Sequence, residues 1–468
     1  MLSNELIRAH LDGIAKDYNS WQRKNAYYYR TIASLVARVV RPGSSVLVVG
    51  CKTGDLLASS RPGQGVGIDI SPLMIKLARE KYPRHTFFES SIEEFSYQGV
   101  FDYVIMADMV DHVYDVVSLF EGAYRFCHPG TKIIITTINP WWEPVLSLAE
   151  RMGAKMPEGP HNFIEKRNLA KMIEFLDYAI SYSGYLLLMP KYIPLVSFLV
   201  NAIGTRIWGL NKLSFVQYMV LHPLPADAND LGYGCSVIIP CFNESANIEE
   251  AVSAVPAMGK ATEIIVVNDG SEDRTAEVAR VLMARYRNLK LIDYQPNKGK
   301  GYAVQQGFQA ASQEVLMILD ADRSVLPGEL PRFFAVLNKK KGDFVNGTRM
   351  VYPMEYEAMR FFNLLGNKIF GLIMTFIVGQ HLTDTLCGTK ALLRKDFVRM
   401  RMGLDRWGDF DLLFGAARLG LKIVEMPVHY KARKAGASKM NAIRHGFHLL
   451  RACFRGFKEL VLTDDSSE

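Results

Sequence analysis

The chain has 468 residues, more than a single hydrophobic core usually supports, so two domains are expected. Apolar residues make up 49% and charged residues 22%, which excludes general disorder. The net charge of +7 is spread along the chain and gathers into no basic arm, so no nucleic-acid partner is expected.

The opening residues, MLSNELIRAHLDGIAKDY, carry charges throughout and lack the apolar run of a secretory signal. Six scattered cysteines form no CxxC pair, and a reduced cytoplasmic protein is expected. The β-branched run SSVLVVG at 44–50 opens a strand and helix alternation, with strands predicted at 46–49, 65–69, 103–107 and 132–137. The most apolar stretch, 184–204, is interrupted by Pro190, Lys191 and Pro194, falls short of a spanning helix, and reads as a buried strand, loop and helix. HPLPADANDLGYG, at 222–234, is rich in turn formers and marks the junction. The domains are placed at 1–224 and 235–440, with a linker at 225–234 and a tail at 441–468. A second alternation starts with CSVIIP, with strands predicted at 236–240, 263–268, 289–294 and 315–320 and helices at 247–255 and 276–287. Both halves read as doubly wound α/β domains with open parallel sheets, whose ligands lie at the carboxyl ends of the strands.

In the first half, the glycine turn in VLVVGCKTGDLL lets the backbone approach a ligand closely, and Asp69, ending the strand in VGIDIS, is placed to accept hydrogen bonds from ribose hydroxyls. With SPLMIKLAREKYP and FDYVIMADMVDHVYDV following, residues 15–220 resemble the class I S-adenosylmethionine-dependent methyltransferases. The resemblance implies a Rossmann-like fold, S-adenosylmethionine as cofactor, and a site in which Gly50, Cys51, Gly54 and Asp69 contact it, Ile70 packs on the adenine and Asp108 lies near the methionyl end. Lys52 stands at the family's middle glycine, and Ser91 where many relatives have an Asp for the adenine amine. These departures keep a second reading open, a non-catalytic binding or scaffolding module. Lys52 is expected to hold its ammonium in solvent. Tyr28, Trp141, Trp142, His161 and Asn162 are candidate pocket lining.

In the second half, VLMILDAD ends in Asp320 and Asp322, two carboxylates spaced to share Mg²⁺ or Mn²⁺ bridging a diphosphate. Asp269 in IIVVNDGSEDRT is placed to accept from a base or ribose, and PNKGKGYAVQQG sets Lys298 and Lys300 among glycines, where backbone and ammonium groups reach phosphate. These blocks, with IPCFNE, NGTR, DTLCGTKALLRK, DFDLLFGAARLGLKIVEMPVHY and RKAGASKM, resemble in order the family 2 glycosyltransferases of the dolichol-phosphate mannosyltransferase type over 235–445. The resemblance implies a GT-A fold and inverting transfer of a hexose from GDP-mannose or UDP-glucose to a polyprenyl phosphate. Pro240, Phe242, Glu244 and Asp269 would hold the nucleoside, with Asp273 at the same turn. Lys300 would face phosphate, Asp320 and Asp322 the metal, and Arg349 and Lys390 the sugar or acceptor. Arg433 and Lys439 match the basic motif facing the donor diphosphate and lipid phosphate. A phosphate acceptor is already ionised, and Asp384, Asp409 and Asp411 are the candidates if a base exists. A glycan or protein hydroxyl stays open as an alternative acceptor. Ser324, where Gln or His is usual, and Asn268, in place of the first Asp of DDGS, leave the donor open.

The tail places Ile443, Phe447, Leu450, Phe454 and Phe457 at helical spacing, with Arg444, Arg451, Arg455 and Lys458 interleaved. A basic amphipathic helix of this kind lies on anionic lipid, so peripheral attachment to the cytoplasmic membrane face is expected; packing on the enzyme's own sheet is the alternative.

Overall fold

A computed structural model describes residues 4–157, 159, 161–207, 209–226, 230–352, 361–403, 407–430 and 442–462, without the side chains of 361–369, 442–449 and 461–462. Two compact units separate at Met1–Ala226 and Asp227–Glu468.

The first unit begins with two helices, Asn4–Lys24 and Ala26–Val39. Its sheet comprises β1 (Ser45–Val49), β2 (Gln64–Asp69), β3 (Thr86–Glu89), β4 (Phe101–Ala107), β5 (Cys127–Ile138), β6 (Tyr178–Leu186) and β7 (Val216–Pro223), in the order β3-β2-β1-β4-β5-β7-β6. The four apolar residues of β1, Val46 to Val49, are all buried, as expected of a central parallel strand covered on both faces. Strand order reverses around β1, which pairs with β2 on one side and β4 on the other, and the ligand crevice of such a sheet lies at that switch point. The sheet is mixed rather than wholly parallel, because β7 runs antiparallel to both β5 and β6. Which way a strand runs depends on its partner, far away in sequence.

The stretch 184–204 forms the end of β6, a loop and the helix Val196–Gly204. Its expected burial is not what the structure shows: Leu195 is 78% exposed and Phe198 71%. Only Ser197 and Gly204 of that helix are buried.

The second unit holds β8 (Cys235–Cys241), β9 (Thr262–Asp269), β10 (Leu289–Tyr294), β11 (Val315–Ile318), β12 (Phe344–Thr348), β13 (Lys390–Leu393) and β14 (Ile423–Pro427), in the order β10-β9-β8-β11-β13-β12-β14. Strands β8 to β11 are parallel, and β13 runs antiparallel to both β11 and β12, so this sheet too is mixed. The switch point lies between β8 and β11.

Part of the segment read as linker packs on the second unit. Leu231 N donates to Asn338 O (3.2 Å), and Asn338 Nδ2 donates to Asp230 Oδ1 (2.8 Å). The helix Ala442–Phe457 is likewise joined to that unit. Ala452 and Cys453 sit in its core, and Arg455 Nη2 pairs with buried Asp411 at 2.7 Å.

Candidate active sites

At the carboxyl ends of β1, β2 and β4 a cavity of about 450 Å³ opens, lined among others by Gly50, Asp69, Ile70, Ser91 and Asp108. Gly50, Lys52 and Gly54 all have positive φ, so the turn after β1 curls back toward β2. A side chain at Gly50 would strike Met109 Sδ, which keeps that floor open to a ligand. Asp69, 3% exposed, accepts Lys52 N at Oδ2 and Ser71 N at Oδ1, each at 2.9 Å. Burial raises its carboxyl above the usual range, opposed by those two donors. Each oxygen keeps a lone pair for a hydroxyl donor.

Lys52 is half-buried, lines the cavity and holds Nζ 5.9 Å from the centre of the Tyr18 ring. Cys51 packs into the core, against the bare Cα of Gly67, and burial lifts its thiol well above its ordinary value. Asp108 accepts Tyr28 Oη at Oδ2 and Thr136 Oγ1 (2.8 Å) at Oδ1. Tyr28 and Trp142 line the cavity, whereas Trp141 is 75% exposed and neither His161 nor Asn162 is among the lining residues. Sequence reasoning missed Asp111, a buried carboxylate accepting Ile138 N (3.0 Å) and Ile164 N (3.4 Å), which fastens the 162–164 segment to the end of β5. In the sequence it is one of three Asp residues in ADMVDHVYD, with nothing to single it out.

In the second unit, acidic and basic groups alternate at the end of β11. Lys300 Nζ lies 2.6 Å from Asp320 Oδ1, and Lys390 Nζ lies 3.1 Å from Asp409 Oδ1. Burial opposes the charge on Lys300, but Asp320, Asp409 and Asp322 outweigh it and raise the ammonium pKa. Any side chain on Gly388 would collide with both Asp320 Oδ2 and Lys300 Nζ, so that bare backbone is what allows the strand end to close on the pair. Asp322 Oδ1 accepts Ser324 N at 3.0 Å.

Asp269 is the hub of the phosphate-type loop. Lys298 N (2.8 Å) and Tyr294 Oη (2.9 Å) donate to Oδ1, while Gly299 N (2.8 Å) and Asn297 Nδ2 (2.9 Å) donate to Oδ2. Its carboxylate therefore shapes the NKGKG backbone. Beside it, Asn268 Nδ2 donates to Asp293 Oδ1 at 2.8 Å, a bond an Asp at 268 could not make while ionised. Pro240 is buried at the end of β8, with Phe242 and Glu244 half-buried beyond it. Glu244 Oε2 accepts Asn247 Nδ2 (2.7 Å). Asp273 accepts Ser245 N (3.2 Å) and Thr275 N (3.0 Å), binding that loop to the start of the next helix.

Arg349 grips Asp384 through Nε (2.6 Å) and Nη2 (2.8 Å) in a buried two-pronged pair. Burial opposes ionisation of Asp384, but Arg349 overcomes it and holds the carboxyl at about 2. Asp411 is enclosed by Arg455 and Gly403 N (3.0 Å); of the two acids opening the helix Asp409–Arg418, Asp409 is the one near Lys300. Arg433 and Lys439 lie outside the described residues.

A family profile described as Glycosyl transferase family 2 matches residues 236–400, and one described as Methyltransferase domain matches 21–181. A dolichol-phosphate mannosyltransferase from Pyrococcus furiosus is 33% identical over 230 residues, which are 46% of this chain and 63% of that protein. The dolichyl-phosphate beta-glucosyltransferase ALG5D of Trichomonas vaginalis is 30% identical over 240 residues, 46% of this chain and 72% of that protein. The chain belongs to glycosyl transferase family 2. A third relative, glycosyltransferase AglD of Haloferax volcanii, is 28% identical over 231 residues, and the match spans 36% of its length. The chain thus spans only part of two of these three curated relatives, 36% of one and 63% of another.

The glycosyl transferase family 2 half carries a donor set that fits a divalent cation of the Mg²⁺ class. Such ions take one or two carboxylates and complete their shell with phosphate and water, and Asp320 and Asp322 close β11 as that pair. No cluster of three His, Cys, Asp or Glu able to hold a metal occurs among the described residues, so phosphate oxygens would have to complete the shell. The methyltransferase domain fits S-adenosylmethionine on its own geometry: an open glycine floor, a buried carboxylate after β2 and a cavity at the switch point.

Proposed function

We propose that the family 2 half transfers a hexose from a nucleotide sugar, of the GDP-mannose or UDP-glucose type, to a polyprenyl phosphate. The N-terminal half is then an S-adenosylmethionine-dependent methyltransferase, making the chain bifunctional. The Lys300, Asp320, Asp409, Lys390 array at the end of β11 carries the first reading, because it sets cations beside the carboxylates where a sugar diphosphate needs both. The lipid-phosphate acceptors named for the Pyrococcus and Trichomonas relatives support the acceptor class.

Asp320 and Asp322 would hold Mg²⁺ or Mn²⁺, which neutralises charge on the leaving diphosphate. Lys300 positions Asp320, and Lys390 positions Asp409. The nucleoside would lie against Pro240, Phe242 and Glu244, with Asp269 ordering the loop beneath the phosphates. Arg433 and Lys439 would meet the diphosphate and the lipid phosphate. Asp384 and Asp411 are each paired with an arginine, and an ionised phosphate acceptor makes little demand for a base. Attachment to the cytoplasmic membrane face through the helix Ala442–Phe457 is part of this proposal: Leu450 is 58% exposed and Phe454 72%. Among the described residues no helix is long and apolar enough to cross a membrane.

The test is to incubate full-length protein with a panel of nucleotide sugars and polyprenyl phosphates and identify products by mass. Asp322→Asn and EDTA treatment should each abolish transfer; wild-type rates under either condition would overturn the metal assignment.

A further inference from the structure

Exposed apolar side chains in the first unit concentrate in two short segments. One is the helix Glu143–Arg151 with its flanks, where Trp141, Val145, Leu148 and Met152 are exposed. The other is 192–213, with Leu195, Phe198, Leu199 and Ile203 among its exposed residues. Soluble surfaces scatter such groups singly, so a collection of this size marks a covered face. The two segments adjoin, since Trp142 Nε1 donates to Leu213 O at 2.9 Å. The first segment lines the cofactor-type cavity through Trp142 and Val145, and Pro190 and Lys191, which lead directly into the second, line it as well.

Charge selects the covering partner. Between Asp177 and Asp227 the chain contains no Asp or Glu, while Lys191, Arg206 and Lys212 are all exposed within it. In the helix segment Glu143 is exposed and Glu150 half-buried, so the cationic rim belongs to 192–213 and its flank, and an apolar stretch flanked there by cations suits an anionic bilayer, whose surface attracts each such cation by roughly 1 kcal/mol. An acidic rim would be repelled from that surface.

We propose that this collar seats the N-terminal unit on an anionic lipid bilayer, with the cavity mouth at the lipid surface, so that the ligand entering beside the cofactor is a lipid-borne molecule. The seat is distinct from the C-terminal helix. The ligand class rests on the methyltransferase reading, which is tested separately by S-adenosylhomocysteine binding in the absence of lipid.

Hydrogen-deuterium exchange on the full chain tests the proposal, with vesicles of phosphatidylcholine alone and of phosphatidylcholine mixed with phosphatidylglycerol. Amides in 192–213 should exchange more slowly only with the anionic vesicles. Arg206→Glu with Lys212→Glu should weaken vesicle binding by at least about fivefold per cation, with S-adenosylhomocysteine affinity unchanged as the sign of an intact fold. Phe198→Ser with Leu199→Ser should weaken it as well. Unchanged exchange in 192–213 on vesicles that still capture the protein would overturn the proposal and leave the C-terminal helix as the attachment. Protection that grows with protein concentration without lipid would overturn it in favour of a second copy of the chain.

Discussion

Asp69, buried, and Glu425, half-buried, are two carboxyls held in different ways. Asp69 takes two backbone donors and offers its remaining lone pairs to the cavity, so its loss removes a charge-assisted bond worth about 1.5 to 3 kcal/mol. Asp69→Ala should weaken S-adenosylmethionine binding about ten- to a hundredfold by calorimetry while sugar transfer is unchanged. Glu425 is different. Burial lifts its carboxyl to about 7, against donors from Thr383 and Asp384 N, and the neighbouring Asp384 charge adds to the rise. A folded-state pKa above the unfolded value of 4.5 means that the folded chain holds the proton more tightly. This contribution is complete below 4.5 and is lost as pH rises through about 7. Glu425→Gln should flatten that part of the stability profile, read by denaturant midpoints across pH; because Glu425 is only half-buried, the change is smaller than full burial would bring.

At the scale of elements, the buried Arg349 and Asp384 pair ties the end of β12 to the loop before β13. Arg349→Ala leaves an uncompensated buried carboxylate and should cost about 3 to 5 kcal/mol in urea unfolding. Arg349→Lys cannot restore the two-pronged contact and should recover only part of that loss. The C-terminal helix has one side in the core through Ala452 and Cys453 and another carrying exposed Leu450 and Phe454. Removing 442–468 would therefore uncover core and strand Asp411. Leu450→Ser with Phe454→Ser should instead shift the protein from membrane to soluble fractions in flotation while the melting temperature stays within a few degrees, since exposed substitutions cost roughly 0.5 kcal/mol or less.

At the scale of the whole molecule, each unit has its own sheet and its own buried core, so heating should give two transitions. S-adenosylhomocysteine at about a hundred times its Kd adds roughly 2.7 kcal/mol to the unit that binds it, and only one transition should move in calorimetry. The two alternations, the first strand of each sheet and the acids closing β2 and β11 are legible in the sequence by themselves, because β-branched runs and the turns after them are dictated by neighbouring residues. The family blocks were legible for the same reason. What required the tertiary structure was pairing and exposure. Asp384 meets Arg349 across 35 residues, Asp411 meets Arg455 across 44, and β7 and β13 run antiparallel to neighbours distant in the chain. The apolar run at 195–203 reads as core in one dimension, yet its burial depends on what packs opposite, and only the fold shows that face left open.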